Sequence, residues 1–398
     1  MLPTFIKKAK EAERVFLKRC QFYLTLGEKR KNTITRYTNK TIYIKTEVGS
    51  KEFAIPRSKV REALRFLFMK RTVTRKDLQR FRNYTSAMIA ILHMVVADIS
   101  RVSKLPSGLI RLTLKGVRFW FSGCCRGKGD IELIKKHGGT GVLVNYAYLR
   151  TDKTQRFRTY LQGILAYLDS GGFQGLQKEG SGGAPKRKKK IPPIDVIQYG
   201  EFVKDNIDLF QGYFNLDIGG REKARENMET LTRITGSRPI PVWHYDWEDA
   251  WEELDRIVKE EHDVVAIGKT AKISEPKRLA IYTEVFKRYP DQPFHILGLA
   301  SKLLFSLSNI FSSDAGSWLK GRKLGKKKRQ IITPMGQLDV PMTMPAEECI
   351  AQSIRYLSSL EEAYEGLQHD SLYWQMKKER QSRKKAADEH DQLSFSFV

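Results

Sequence analysis

The sequence predicts an α/β protein: a (β/α)₈ barrel of the TIM type, preceded by a smaller basic α+β domain. From about residue 141 onward, short apolar segments alternate with amphipathic ones, which is the pattern of parallel strands connected by helices. Seven or eight such units in about 200 residues suit a (β/α)₈ barrel. Positive charge is concentrated ahead of these units, which indicates a separate first domain.

The charge is placed very unevenly along the chain. The 398 residues include 71 Lys and Arg and 45 Asp and Glu, which gives a net charge of +26. Residues 1–150 contain 33 of these basic residues and 10 of the acidic ones, so they carry +23. A positive field of this size usually meets phosphate, because neutralising it releases counterions. Nucleic acid is the expected partner of this region, and a basic surface that only maintains solubility is the alternative.

The first domain is expected over residues 1–135, with helices and two β-hairpins. Apolar residues at helical spacing predict helices over residues 7–24, over residues 59–69 and from residue 87 onward, with Thr74 as the N-cap of another. Alternating apolar residues predict hairpins over 33–46 and 105–123. Helices followed by a basic hairpin have the order of a winged helix, a DNA-binding form, although many small α+β domains share this order.

The barrel is expected over residues 140–345, with one basic insertion. Its predicted strands cover residues 142–149, 164–170, 212–218, 239–245, 262–269, 293–299 and 309–318. After the second of these, the insertion over 177–193 carries the basic run Lys186, Arg187, Lys188, Lys189 and Lys190. A loop that leaves the carboxyl end of a barrel strand lies on the active-site face, so this run is expected to contact nucleic-acid phosphates. A solvated loop or a nuclear-import signal is the alternative.

Several of the predicted strands end in, or are followed by, an aspartate. Asp169, Asp217 and Asp314 lie at strand ends, and Asp246 follows another strand. A single strand-end aspartate is usually a helix cap or a turn residue, but several on one rim indicate chemistry. Two carboxylates on either side of a sugar can break a glycosidic bond.

One of these aspartates opens a segment that resembles a known family. DSGGFQ (residues 169–174) is similar to the signature of the tRNA-guanine transglycosylase superfamily, which are (β/α)₈ barrels that exchange guanine for a 7-deazaguanine. YFNLD, PVWHYDWED, VVAIGK, FHILGLAS and SSDAGSWLKG fit the same family in order, within about residues 140–325. SSDAGSWLKG looks more like the DNA-modifying 7-deazaguanine (DpdA-type) branch and its phage relatives than like the tRNA enzymes.

The resemblance implies a base exchange on DNA with the free 7-deazaguanine as second substrate. Guanine would be replaced by a base such as 7-cyano-7-deazaguanine, with Asp314 as nucleophile of a covalent glycosyl intermediate and Asp169 as general acid and base. The implied substrate-binding residues are Ser170, Gly171, Gly172, Phe173, Gln174, Asp217, His244 and Gly268. Of these, Phe173 could instead be core, Gly268 a tight turn, and His244, where the tRNA enzymes have glutamine, a structural histidine.

The resemblance and the cysteines together predict neither a metal nor a cofactor. The tRNA enzymes carry a clustered Cys/His zinc site after the nucleophile, whereas only Cys349 follows Asp314 here, and Cys124 and Cys125 are adjacent. DNA is therefore expected as the substrate. Exchange on tRNA is the alternative, and a catalytically inactive DNA-binding protein tethered to a sliding clamp is an alternative of another class.

The C-terminal part predicts a helical region over 346–390 and a flexible tail over 391–398. Within this tail, Gln392 to Phe397 is similar to short sliding-clamp-binding peptides, with a plain disordered tail as the alternative. The sequence also has few cysteines, no apolar run long enough to span a bilayer and no apolar signal core at its start. We therefore expect a cytoplasmic protein, in the host cytoplasm if it is viral, with no membrane partner.

Overall fold

The computed structural model describes residues 2–27, 29–49, 52–124, 128–172, 193–301, 303, 307, 310–322, 328–364 and 367–395. The chain divides into two compact units. The N-terminal unit is formed by Leu2–Lys115 together with the described residues from Tyr364 onward, and the parallel-sheet unit by Gly116–Ala363. The sequence-based boundaries at residues 135 and 346 both fall inside the parallel-sheet unit.

The N-terminal unit contains helices and two antiparallel sheets. Four strands form the first sheet in chain order, namely β1 (Phe22–Leu24), β2 (Lys31–Tyr37), β3 (Thr41–Thr46) and β4 (Glu52–Pro56). The second sheet contains β5 (Thr72–Thr74), β6 (Ser100–Lys104) and β7 (Ile110–Leu114), with β7 in the centre. The helices are α1 (Pro3–Arg19), α2 (Arg57–Lys70) and α3 (Thr85–Val96). The predicted hairpin over 33–46 is confirmed, because β2 and β3 pair antiparallel.

The predicted hairpin over residues 105–123 is wrong, because its two halves belong to different sheets. β7 pairs antiparallel with β5 and β6. Arg118–Ser122 is instead β8, and it pairs parallel with two strands of the parallel-sheet unit. The first half, IRLTL, alternates apolar and polar residues, and the second, RFWFS, has three consecutive aromatic residues. Neither pattern specifies the partner strand. A winged helix is therefore not confirmed, and the parallel sheet begins at residue 118 rather than near 140.

The parallel-sheet unit confirms the α/β class. Its strands are β8, β9 (Gly141–Asn145), β10 (Leu165–Asp169), β11 (Gly212–Tyr213), β12 (Val242–His244), β13 (Val265–Gly268), β14 (Phe294–Ile296) and β15 (Ile310–Ala315). They form one eight-stranded sheet in the order β11-β10-β9-β8-β15-β14-β13-β12, with every neighbouring pair parallel. Beyond the two edge strands, Phe214 forms a parallel bridge with Ile240, whose N–H donates to the carbonyl oxygen of Tyr213 at 2.8 Å. The sheet therefore curls until its edges meet.

Side chains alternate between the two faces of this curled sheet. Residues such as Phe119, Val144, Leu168, Trp243 and Ile296 belong to the apolar core. On the inner face, Trp120 stacks on Tyr167 with ring centroids 3.7 Å apart, and the rings of Phe214 and His295 lie 5.1 Å apart. Tyr167 also lies 5.6 Å from Phe214 and 6.1 Å from His295, so these rings form one connected layer.

Helices and a hairpin complete the described chain. The parallel-sheet unit contains α4 (Lys128–Lys136), α5 (Tyr146–Leu149), α6 (Phe157–Tyr160), α7 (Val196–Asp205), α8 (Gly220–Thr235), α9 (Ala250–Lys259), α10 (Glu275–Arg288), the strands β16 (Lys328–Thr333) and β17 (Gly336–Pro341), and α11 (Ala346–Ser359). In the described ranges, no helix has the length and apolar character needed to cross a membrane.

The last helix, α12 (Leu372–Phe395), belongs to the N-terminal unit. Arg380 Nε donates to Glu11 Oε2 on α1 at 2.9 Å, and Arg14 and Glu379 form a second ion pair between the same two helices. The helix extends into the segment expected to be a flexible tail over 391–398. The side chains of the clamp-like segment, Gln392 to Phe397, lie outside what the structure describes.

Candidate active site

Asp169, the last residue of β10, is held by its neighbours in the sheet. Asn145 lies opposite it at the end of β9 and donates from Nδ2 to Asp169 Oδ2 at 2.7 Å. The backbone N–H of Gly171 also hydrogen-bonds the carboxyl group. Burial and, after it, the negative charges of Asp217 and Asp314 raise the pKa of Asp169 to about 7. This carboxyl group therefore exchanges its proton near neutral pH, as a general acid and base must.

Asp314 lies near the end of β15 and is 6% exposed. Its Oδ1 accepts a hydrogen bond from the backbone N–H of Gly298 at 3.0 Å. Nε2 of His295 is 3.4 Å from the same oxygen. The charges of Asp314 and Asp217 both act on Asp169. The ends of β10 and β15, together with the segment that follows β11, therefore bring the three predicted carboxyl groups into one site.

His295 lies beneath Asp314 on β14 and is fully buried. Its Nδ1 is 2.9 Å from the hydroxyl oxygen of Ser312. Its Nε2 has no hydrogen-bond partner within the described parts of the chain. Neither His295 nor Asn145 was predicted from the sequence. Each is a polar residue at an inward-facing position of an apolar strand, and this was the signal that could have identified them.

Asp217 forms a second pair with His244, the last residue of β12. His244 Nε2 and Asp217 Oδ2 are 2.7 Å apart, and His244 is 3% exposed. Gly268 lies opposite His244 at the end of β13, where a Cβ would be 2.6 Å from His244 Cδ2. A glycine is needed at position 268 because any side chain there would displace the imidazole.

The turn that follows Asp169 also needs glycine. Gly171 has φ +83°, and a Cβ there would be 2.6 Å from the side-chain oxygen of Asn145. A Cβ on Gly172 would be 2.7 Å from Ile218 Cγ2. Ser170 is buried, and its hydroxyl oxygen is 3.4 Å from the N–H of Gly172. Together these contacts fix the path of the backbone beside Asp169.

Some predicted residues are placed elsewhere or cannot be placed. Asp246 is outside the cluster: it is 42% exposed and pairs with Lys269 at 3.3 Å. Seven of the predicted residues lie outside the described ranges, namely Phe173, Gln174, Lys186, Arg187, Lys188, Lys189 and Lys190.

The raised pKa of Asp169 predicts a pH-dependent effect of Asp169→Asn on stability. The pKa of this carboxyl group is near 3.9 in the unfolded protein and about 7 in the folded protein. Its contribution to the free energy of unfolding is therefore full below about pH 3.9 and is lost as the pH rises through about 7. Asparagine carries no such loss. We expect the variant to gain roughly 1–4 kcal/mol relative to the natural protein between pH 4 and pH 8. Urea unfolding at both pH values measures this, and a stability difference that does not change with pH would contradict it.

Comparisons with known proteins identify no family for this chain. No family model matches it, and no curated protein does. A solved structure from Aquifex aeolicus VF5, titled a structural study, is similar over 63% of this chain and 94% of that one, with 10% identity and a TM-score of 0.37. An enolase protein from Sargasso Sea environmental sequencing is similar over 76% of this chain and 89% of its own, with 11% identity and a TM-score of 0.33. Similarity at this level does not indicate a function.

Proposed function

We propose that this protein is a DNA guanine transglycosylase, and that its curled parallel sheet is a (β/α)₈ barrel of the kind found in the tRNA-guanine transglycosylase superfamily. It would exchange guanine in DNA for a 7-deazaguanine such as 7-cyano-7-deazaguanine. The observation that carries the proposal is the pKa of about 7 at Asp169, with the carboxyl groups of Asp314 and Asp217 beside it. Double displacement at a glycosidic carbon needs this combination of one protonated and one ionised carboxyl group.

In the first step, a carboxylate oxygen of Asp314 attacks C1′ of the target nucleoside. The C1′–N9 bond breaks, its electron pair leaves with guanine, and the proton of Asp169 passes to the departing base. The products are a glycosyl ester on Asp314, ionised Asp169 and neutral guanine. In the second step, the incoming base gives its N9 proton to Asp169, and N9 attacks C1′ and releases Asp314. Two displacements retain the configuration at C1′.

The contacts of Asp314 favour one of its two oxygens as the attacking atom. Oδ1 is engaged by the Gly298 N–H and lies 3.4 Å from His295 Nε2. Nδ1 of His295 is 2.9 Å from the Ser312 hydroxyl oxygen, and this contact holds the ring with Nε2 towards Oδ1. Oδ2 is then the oxygen left to attack C1′, and His295 is a positioning residue.

Asp217 and His244 would recognise the base. Asp217 Oδ2 is engaged by His244, which leaves Oδ1 for the N1–H and exocyclic amine of guanine, the edge that distinguishes it from adenine. This oxygen lies 3.7 Å from where a Cβ on Gly172 would be.

Replacing His295 tests its proposed positioning role. We expect His295→Leu to lower kcat about ten- to a hundredfold with little change in KM for DNA, because the imidazole edge that lies 3.4 Å from Asp314 Oδ1 is lost. His295→Gln, which can place an N–H near Oδ1, should recover part of this loss. Steady-state kinetics, with thermal unfolding as the control for folding, measures both variants. A leucine variant with the natural kcat, or a glutamine variant no better than leucine, would refute the role.

Nucleoside mass spectrometry tests the proposed reaction and substrate. DNA and tRNA would be isolated from cells that express this protein and are supplied with a 7-deazaguanine, alongside cells expressing Asp314→Asn. The charge of +23 in residues 1–150 supports DNA, so we expect a modified deoxynucleoside only with the natural protein. A modified ribonucleoside alone would replace DNA by tRNA as the substrate. No modified nucleoside of either kind would favour a catalytically inactive DNA-binding protein.

A further inference from the structure

The four-stranded sheet of the N-terminal unit has one buried face and one exposed face. Tyr23, Ile42, Ile44 and Ile55 are fully buried and share one side of the sheet. Because side chains alternate along each strand, their neighbours share the other side, called here the outer face. We define the outer face by Phe22, Leu24, Lys31, Arg36, Tyr43 and Lys45.

The outer face combines apolar and basic side chains. Phe22 is 41% exposed and Leu24 is 44% exposed. Lys31 and Lys45 are also exposed, and the side chain of Arg36 is 57% exposed and 3.6 Å from Glu52. Phe22 and Leu24 therefore lie within a mainly positive surface.

Two aromatic rings on this face are each covered by a cation. The Lys31 ammonium is 4.6 Å from the centre of the Phe22 ring, and the Arg36 guanidinium is 3.5 Å from the centre of the Tyr43 ring. The guanidinium therefore lies against the face of the Tyr43 ring as a cation–π pair. Phe22 is on β1 and Tyr43 is on β3, so the two positions are two strands and two residues apart. Standard sheet spacings place such positions about 12 Å from each other. They form two separate stacking positions.

We propose that the outer face binds single-stranded nucleic acid, with bases stacked on Phe22 and on the Arg36–Tyr43 pair and with phosphates near Lys31 and Lys45. Aromatic rings and guanidinium planes stack on any base whose face is accessible, and basic side chains between them follow the backbone. Duplex DNA hides these base faces inside its helix, so it fits the charge of the outer face but not its rings. An acidic peptide would likewise use only the charge.

This inference rests on the proposed function only in taking nucleic acid as the partner. An enzyme that acts on a base in duplex DNA must first take that base out of the stack. A surface that holds the separated strand beside the target base would stabilise the DNA in which that base has left the stack. The base-exchange chemistry at Asp314 and Asp169 is not needed for the outer face to bind.

Fluorescence anisotropy with the full-length protein tests the proposal. The probes are a labelled 12-mer of deoxythymidine, a labelled 12-base-pair duplex and a labelled polyglutamate peptide. We expect Phe22→Ala and Arg36→Lys each to weaken binding of the single strand about five- to a hundredfold, because each removes a stacking surface, and Arg36→Lys does so without a change of charge. Their affinity for the duplex should stay within about twofold of the natural protein.

Two further variants separate stacking from charge and from misfolding. Tyr37→Ala removes an aromatic side chain that is 48% exposed but pairs in register with the buried Ile42, so it should bind the single strand normally. Replacing Lys31 and Lys45 by Ser should reduce the slope of log affinity against log salt for the single strand by about 0.7 per lysine.

The outcomes decide between the partners and between the two proposals. Equal losses for single strand and duplex, no loss for either, or polyglutamate binding as strong as the oligonucleotide would overturn the role of the outer face. Normal binding by the outer-face variants together with base exchange would remove this inference and leave the transglycosylase proposal intact. Weakened single-strand binding by these variants of a protein that shows no base exchange would support the role of the outer face and remove the transglycosylase proposal.

Discussion

Asp314→Asn is expected to abolish base exchange, with kcat lowered by about four orders of magnitude or more. The amide keeps an oxygen that can accept from the Gly298 N–H at the position of Oδ1, so the local structure can persist. An amide cannot form the glycosyl ester, however, so the first displacement has no nucleophile. Exchange of labelled guanine into DNA measures the rate, and a denaturing gel detects the covalent protein–DNA adduct.

Asp246→Asn is the matched control for this experiment. Asp246 also follows a strand of the parallel sheet, but it is exposed and pairs with Lys269. Its replacement should leave both the exchange rate and the adduct unchanged. If Asp314→Asn still formed an adduct, or if the two variants lost activity equally, Asp314 would not be the nucleophile.

Asp169→Asn is expected to lower kcat about a hundred- to ten-thousandfold and to change how the rate depends on pH. The first displacement needs protonated Asp169, whose pKa is about 7. In the natural protein, release of guanine should therefore be fastest below pH 7 and fall about tenfold per pH unit above it. Asparagine has no proton to lose, so the small remaining rate should not show this decrease.

Single-turnover release of guanine between pH 5.5 and pH 9 measures this dependence. Asp217→Asn provides a useful comparison, because it removes one of the charges that raise the pKa of Asp169. In that variant, the decrease in rate should begin at a lower pH. The same decrease in both the natural protein and Asp169→Asn would assign it to another group.

The candidate site could be predicted largely from strand ends and one short segment. In a parallel sheet, all strands end at the same edge, so aspartates that end several predicted strands must meet. Asp169, Asp217 and Asp314 do so. The glycines after Asp169 were identified through the resemblance of DSGGFQ to a known family, and the structure gives the reason for Gly171, where a Cβ would be 2.6 Å from the side-chain oxygen of Asn145.

The remainder depends on contacts that a local pattern does not contain. Alternation in residues 105–123 correctly indicates strands, but pairing is decided by packing over long distances in sequence, so β8 was assigned to the wrong sheet. The role of Gly268 depends on His244 across the strand pair, where the two residues are 24 positions apart in sequence. His295 was missed because a histidine inside an apolar strand is usually only a core residue.

The N-terminal unit is assembled from both ends of the chain, since α12 packs on α1 through the Arg380–Glu11 and Arg14–Glu379 ion pairs. A ribosome produces α1 before, and α12 after, the whole parallel-sheet unit. Domains generally fold as units during synthesis, so the parallel-sheet unit has its full sequence available before the N-terminal unit does. In a newly made chain, the region that carries most of the positive charge is consequently the last to reach its final structure.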